Sequence, residues 1–403
     1  MVTDFTVRVL EDAELRTSCD LFRAALHNGP ISDEHWKYVV KEYEPGRTLG
    51  AFADGRLIGT AMSFGSSLAL PGGATPPLAA VTGVGVRADH TRRGVLSELM
   101  RTQLIAAADA GDVFAGLHAS EGAIYGRFGY GIGTTARTIT VQSRRAKLRP
   151  EVPRGGDVRL LDADEVLDRV PPLYERMLGT RPGMIARPAG WWSAAYERRL
   201  RTEEHELVAV HTGPDGADGF VSYRTQKVDP NSMAGDVMIR AIDLLGTPAA
   251  INDLWRYLLS IDLVASVTVF LRPVDEPLEA MLVNQHVVRT ELDDDLWVRI
   301  IDVPAALSAR TYSEADPIVI EVRDRLLPTN SGRYLVGPQG TGRTDEPADL
   351  ALDVDVLAML YLGTSRASML AGVGRIEVRD PAALPRADRL FATDVNSWCG
   401  TMF

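Results

Sequence analysis

The stretch Val84-Gly85-Val86-Arg87-Ala88-Asp89-His90-Thr91-Arg92-Arg93-Gly94-Val95-Leu96 decides the fold of the first third of the chain. Upstream, Leu78 to Val86 is an uncharged run that reads as a buried strand. Downstream, Val95, Leu96, Leu99, Met100 and Leu104 fall on one helical face. The segment is therefore a strand, a basic turn and a helix. The first amide groups of a helix lack intrahelical partners, and its dipole favours anions. Arg92 and Arg93 add positive charge there, and Gly94 lets the backbone come close to a ligand. A pyrophosphate suits such a turn, although an Arg-Arg pair before a helix also reads as a solvated surface turn. Gly83-x-Gly85 is not the start of a dinucleotide-binding fingerprint, because the remaining glycines are missing.

Around this turn the signals alternate between strand and helix. Thr6 to Leu10 predicts a strand. Leu15, Cys19, Phe22 and Leu26 predict a helix, and Ser32 is placed to cap a second short one through Val40. Asp54-Gly55 between Leu49–Ala53 and Arg56–Ile58 is a strong hairpin signal, since a two-residue turn needs positive φ. Val113 to His118 reads as a buried strand and Glu121 to Phe128 as a short helix. Strands resume near Tyr130 and from Arg137 to Val141. Such an order requires a mixed sheet covered by helices.

With its neighbours the turn resembles the GNAT N-acetyltransferases, whose cofactor motif, Gln/Arg-x-x-Gly-x-Gly/Ala, aligns with Thr91 to Leu96. Thr91 and Leu96 depart from that pattern. Arg92-Arg93-Gly94-Val95-Leu96, followed by Ser120-Glu121-Gly122-Ala123-Ile124-Tyr125-Gly126-Arg127-Phe128-Gly129-Tyr130-Gly131, is similar to the narrower Eis (enhanced intracellular survival) family. The length and the closing Phe403 agree as well. The resemblance implies acetyl-coenzyme A contacts at Val84, Gly85 and Val86, at Arg92, Arg93, Gly94, Val95, Leu96 and Ser97, and at Ser120 and Glu121. Backbone amides near Val84 to Val86 would face the thioester and its developing oxyanion, and the arginine turn the pyrophosphate. Ser120 reads equally as a cap for the next helix.

Acetyl transfer to an amine needs a proton for the departing thiolate and a base for the amine. The resemblance implies that Tyr125 is the general acid; a phenol with a reference pKa near about 10 holds its proton at neutral pH. An aromatic residue in an Ile-Tyr-Gly turn is also an ordinary core residue. The chain closes on Trp398-Cys399-Gly400-Thr401-Met402-Phe403, an apolar ending where chain ends are commonly polar. The resemblance implies that the α-carboxylate of Phe403 is the general base, acting through water. His118 reads as a core histidine or a rival base, and Trp36 as a wall of the amine pocket or an anchor for its helix.

The 403 residues allow two to three domains. Arg144 to Gly156, basic and containing Pro and Gly, reads as a linker. Beyond it strands at Leu207–Val210, Gly219–Tyr223 and Val237–Leu244 precede Thr247-Pro248, which opens a helix through Leu259. This order echoes the first unit, but Leu245-Gly246-Thr247-Pro248 stands where the arginine turn should be. The resemblance implies a second, degenerate GNAT-like unit. Pro317–Val322, Leu350–Val354, Val356–Leu362 and Ile376–Val378 resemble the α+β fold of sterol carrier proteins. The expected fold class is thus α/β and α+β: tandem GNAT folds, mixed sheets with flanking helices, then a sterol-carrier-like domain. The expected limits are 1–145, 146–300 and 301–403, the last unit delivering Phe403 into the first.

Charge and composition narrow the partners. With 43 basic and 54 acidic residues, net charge −11, the chain is a poor partner for nucleic acid and a mild one for cations. From Leu57 to Val86 no residue is charged, yet three prolines and six glycines suit strands around a loop better than a membrane helix. Met1 to Phe5 shows no secretory signal, and Cys19 and Cys399 make no disulfide framework, so a cytoplasmic protein is expected. The seven histidines form no ligand pair with either cysteine in the sequence, and no metal is expected. The family resemblance implies acetylation of amines on polycationic small molecules such as aminoglycosides, at several positions, by a homohexamer built as a trimer of dimers. The alternatives are a protein or peptide lysine N-acetyltransferase and a non-catalytic lipid- or ligand-binding protein centred on the C-terminal domain.

Overall fold

The computed structural model describes residues 4–202, 204–227 and 237–403. Of the N-terminal stretch read for a leader, Met1 to Thr3 lie outside these. No helix among the described residues is long and apolar enough to cross a membrane.

The first unit contains β1 (Thr6–Val9), β2 (Thr48–Ala53), β3 (Arg56–Ser67), β4 (Pro77–Val86), β5 (Phe114–Leu117) and β6 (Gly131–Ile132). Asp54 and Gly55, at φ 49° and 72°, form the expected tight turn between β2 and β3. Helices α1 (Leu15–Ala25), α2 (Asp33–Val39), α3 (Val95–Asp109) and α4 (Gly122–Tyr125) connect and cover the strands. Ser32 caps α2 by accepting from the His35 amide. Leu57 to Val86 forms most of β3 and β4 with the connecting loop, so its apolar character is that of strands buried on both faces.

The second unit contains β7 (Thr135–Gln142), β8 (Asp157–Leu160), β9 (Leu207–Gly213), β10 (Gly216–Lys227), β11 (Val237–Gly246), β12 (Val264–Arg272), β13 (Val288–Asp294) and, closing the region, β14 (Trp297–Ile300). The two sheets are interlaced. β14 leaves the second unit to lie between β5 and β6, giving the order β1-β2-β3-β4-β5-β14-β6. β7, from the first third of the chain, pairs instead with β12 and β13 in the order β13-β7-β12-β11-β10-β9-β8. The chains cross at Thr134 and Asp295: the Thr134 hydroxyl donates to Asp295 Oδ2 at 3.0 Å and accepts from the Leu296 amide at 2.9 Å. The local pattern predicts β7, from Arg137 to Val141, whereas β14 went unread, and only long-range pairing assigns either strand to a sheet.

The stretch expected to be a linker is tied down. Arg149 donates its amide to Met281, the Gly155 and Gly156 amides reach Asp253 Oδ2, and Leu148 and Val152 pack on the second unit's core. Thr247 caps the helix Pro248–Ser260 through the Ala250 amide, as its sequence predicts. The third unit is a five-stranded sheet, β15 (Ile318–Arg323), β16 (Gly332–Gly337), β17 (Gly340–Arg343), β18 (Leu350–Asp353) and β19 (Ile376–Val378), ordered β17-β16-β15-β18-β19. A buried ion pair from Arg299 of β14 to Asp324 joins it to the first sheet.

Candidate active site

A cleft opens where β4 and β5 part. Their parallel pairing covers only Leu78–Ala80 against Phe114–Gly116, while β4 runs on to Val86. From Val81 the burial of β4 changes from continuous to alternating, because one edge has lost its neighbour. Between Thr60 and Met62 of β3, β4 gains a residue, from Gly85 to Thr82, and so forms a bulge. Gly83 at φ 60° occupies it; a Cβ there would lie 3.1 Å from the Met62 Cβ. The bulge twists Val84, Gly85 and Val86 out of the regular ladder at the open edge. A Cβ on Gly85 would stand 3.0 Å from the Phe22 Cα, so α1 packs closely behind the strand.

The arginine turn lies at the mouth of this cleft. Arg87 holds Asp89 in a two-point ion pair and keeps its carboxyl well below the usual carboxylate range. Arg92 adopts φ 62°, an uncommon conformation for a side chain with Cβ, and Gly94 caps α3 at φ 85°. Glycine has no side chain to accept from the helix, so the amides of Val95, Leu96 and Ser97 carry no side-chain cap. Arg92, Arg93 and Ser97 are exposed, and the two arginines have no ion pair or side-chain hydrogen bond among the described residues. Free amides, unpaired cations and an open strand edge together fit the phosphates and thioester arm of acetyl-coenzyme A.

Across the cleft, Tyr125 sits at the end of α4, 6% exposed, in one apolar cluster with Val84 and Leu96. Burial pushes its phenol above the ordinary value, so the hydroxyl is protonated at neutral pH. Ser120 and Glu121 are exposed just beyond β5. The residue in the cap position of α4 is Glu121, not Ser120, and it makes no side-chain cap bond.

The final residues cross from the third unit into the first two. Trp398 Nε1 donates to the Leu271 carbonyl at 2.6 Å. Asp295 Oδ2 accepts from the Cys399 and Gly400 amides at 2.9 and 3.3 Å. Arg187, whose side chain is 1% exposed, pairs with Asp243 and donates to the Gly400 carbonyl at 3.2 Å and to Thr401 Oγ1 at 3.1 Å. Its guanidinium lies over the rings of Tyr174 and Trp191. Trp191 Nε1 reaches the Met402 carbonyl at 3.0 Å. The ring of Phe403 then meets the edges of His118 and Phe64, at centroid distances of 4.9 and 5.7 Å. The tail is thus clamped largely by the second unit, a set of partners that no local pattern announces.

His118 Nε2 lies 2.7 Å from the Thr401 carbonyl; a carbonyl only accepts, so this nitrogen carries the proton and is unavailable as a base. Trp36 is half-buried on α2, edge-on to Tyr43 at 5.6 Å, and α2 packs against Ala189–Trp192 and Ser193–Glu197, the helical segment bearing Trp191. Sequence reasoning also passed over Glu42, just after α2, whose carboxyl burial pushes up to about 7.

Comparison with known proteins agrees with this architecture. Models of a GNAT acetyltransferase domain match residues 6–133 and 183–300, and a sterol carrier protein domain matches residues 303–400. The chain is 36% identical to an uncharacterized N-acetyltransferase of Streptomyces avermitilis over 99% of both chains. It is 34% identical to the N-acetyltransferase Eis of Mycobacterium tuberculosis over 91% of both. Eis1 from Mycobacterium abscessus, 36% identical, has a TM-score of 0.87 with 99% of this chain and 100% of that one covered. A GCN5-related N-acetyltransferase from Kribbella flavida, 22% identical, shares the fold over 99% of this chain and 100% of its own, with a TM-score of 0.77. With two acetyltransferase domains, a sterol carrier domain and relatives matched over nearly its whole length, the chain belongs to the Eis family of GNAT N-acetyltransferases.

Proposed function

We propose that this chain transfers acetyl groups to amines of polycationic small molecules such as aminoglycosides, at more than one position. Acetyl-coenzyme A, when bound, supplies an activated thioester. Arg92 and Arg93 with the amides of Gly94 to Ser97 would hold its pyrophosphate, and the amides of Val84 to Val86 would orient the thioester carbonyl and stabilise the oxyanion. Ser120 and Glu121 would border the same arm. Where Phe403 closes the chain, its α-carboxylate would take the amine proton through water. As the new C–N bond forms and the C–S bond breaks, Tyr125 would give its proton to the thiolate. Trp36 would wall the amine pocket.

The observation that carries this reading is the tail: buried side chains hold Cys399 to Met402 so that Phe403 reaches His118 at the end of β5, the strand that leads into Tyr125. We extend the proposal to a cytoplasmic homohexamer, a trimer of dimers, divided near 145 and 300 but interlaced through β7 and β14. Incubation with acetyl-coenzyme A and an aminoglycoside, followed by thiol release and product mass, is the test. A product heavier by one or more acetyl groups is expected, together with loss of turnover when residues are added after Phe403. Full activity of the extended chain removes Phe403 from the mechanism; acetylation of lysine peptides alone removes the small-molecule substrate. Native mass spectrometry of the intact protein checks the hexamer.

A further inference from the structure

The tail brings together three side chains that the acetyl-transfer reading does not use as a set. His118, Asp295 and Cys399 come from β5's end, the crossing loop and the tail, and each offers one ligand atom within 4.8 Å of the others. Asp295 Oδ2 is spent on the Thr134 hydroxyl and the tail amides, but Oδ1 is buried with no hydrogen-bond partner among the described residues. That oxygen lies 3.9 Å from His118 Nδ1, too far for a hydrogen bond. Because His118 donates through Nε2, Nδ1 of the neutral ring holds a lone pair toward the same space. Among the described residues no donor satisfies these two lone pairs, and the Cys399 thiol beside them donates to the Thr401 carbonyl at 3.6 Å, a weak contact that a metal bond would replace.

We infer that His118, Asp295 and Cys399 form a binding site for a soft divalent cation of the zinc type. One imidazole nitrogen, one carboxylate oxygen and one thiolate are a three-ligand set for tetrahedral zinc, with a fourth position left for water. Metal–ligand bonds of about 2.0–2.3 Å ask the three atoms to close by roughly an ångström. Binding replaces the Cys399 S–H bond by a sulfur–metal bond and releases one proton to solvent. The cation fastens the tail to β5 and sets positive charge beside the Phe403 ring, where a cationic amine would have to approach. Occupancy therefore slows acetyl transfer to polycations.

Cobalt(II) titrated into the intact protein tests this spectroscopically. The expected result is a sulfur-to-cobalt charge-transfer band with tetrahedral d–d bands at one cation per chain. It persists in Cys19→Ala, which removes the other free, buried thiol of the chain. In Cys399→Ala the band is lost and affinity falls at least about tenfold; Cys399→Ser, close in size, guards against a folding defect. Zinc should displace cobalt and raise the melting temperature of the parent but not of Cys399→Ala. Octahedral cobalt spectra without a thiolate band, or a band unchanged in Cys399→Ala, overturn the proposal, as does absence of binding at millimolar cobalt. The spectra do not depend on acetyl transfer, so failure here leaves the proposed activity standing.

Discussion

Thr401→Val separates tail docking from the rest of the fold. The Thr401 hydroxyl is buried and fully engaged: it accepts from Arg187 Nε at 3.1 Å and lies 3.1 Å from the Tyr174 hydroxyl. Tyr174 spends its own proton on the Ile185 carbonyl at 2.7 Å, so Thr401 is the donor in that second bond. Valine keeps the shape and removes both bonds, leaving one N–H of a buried guanidinium unpaired. Such a group costs about 1–3 kcal/mol. The loss falls on the docked tail, because Arg187 retains its pair with Asp243 when the tail is away. Carried fully into the acetylation step, it lowers kcat by about five- to 150-fold. The donor cleft at β4 and α3 touches none of these groups, so KM for acetyl-coenzyme A should stay within twofold. Thr401→Ser, which restores the hydroxyl, should recover most of the rate. Initial-rate measurements by thiol release, with each substrate varied in turn, make the comparison. An unchanged kcat in Thr401→Val, or a defect that serine does not relieve, would refute the clamp argument.

Arg92→Ala should raise KM for acetyl-coenzyme A about tenfold or more, since a charge-assisted contact is worth about 1.5–3 kcal/mol and Arg92 has no ion pair to lose among the described residues. The melting temperature should not move; a fall in stability with unchanged KM would count against a phosphate role. Glu42→Gln tests the raised carboxyl. A carboxyl with a folded pKa of about 7 binds its proton more tightly than in the unfolded chain, so its presence costs stability progressively as pH rises from about 4.5 to 7. The glutamine variant should gain about 1–2 kcal/mol over the parent at pH 8, after allowance for solvent screening, and nothing at pH 4; thermal melts across that range decide it. Gly83→Ala should destabilise by about 1–2 kcal/mol, because φ 60° and the Met62 contact both oppose a Cβ. It should also weaken donor binding by flattening the bulge, and equilibrium dialysis with coenzyme A would detect that.

Much of the local architecture was legible. The Asp54-Gly55 hairpin, the Ser32 and Thr247 caps, and the strand, turn and helix around Arg92 and Arg93 follow from dihedral preference and apolar period, which act within a few residues. The Arg144–Gly156 stretch misled because Pro and Gly mark irregular backbone, and irregular backbone can still be tied down. It is, by the carboxylate of Asp253 about a hundred residues further on. Nothing near His118 or Cys399 suggested a common site, for they are 281 positions apart and meet only because Asp295 holds the tail amides.

By itself the sequence determined many of the secondary elements, the basic turn before its helix and the family resemblance, all of which rest on contiguous residues. Only the tertiary structure decided that β7 and β14 exchange sheets, that Arg187 and Asp243 of the second unit clamp a tail belonging to the third, and that His118 faces that tail with its Nε2 proton already spent on the Thr401 carbonyl. The reason is physical. Strand pairing and buried ion pairs are chosen by which distant partners satisfy a desolvated group, and that choice exists only once the chain has closed on itself.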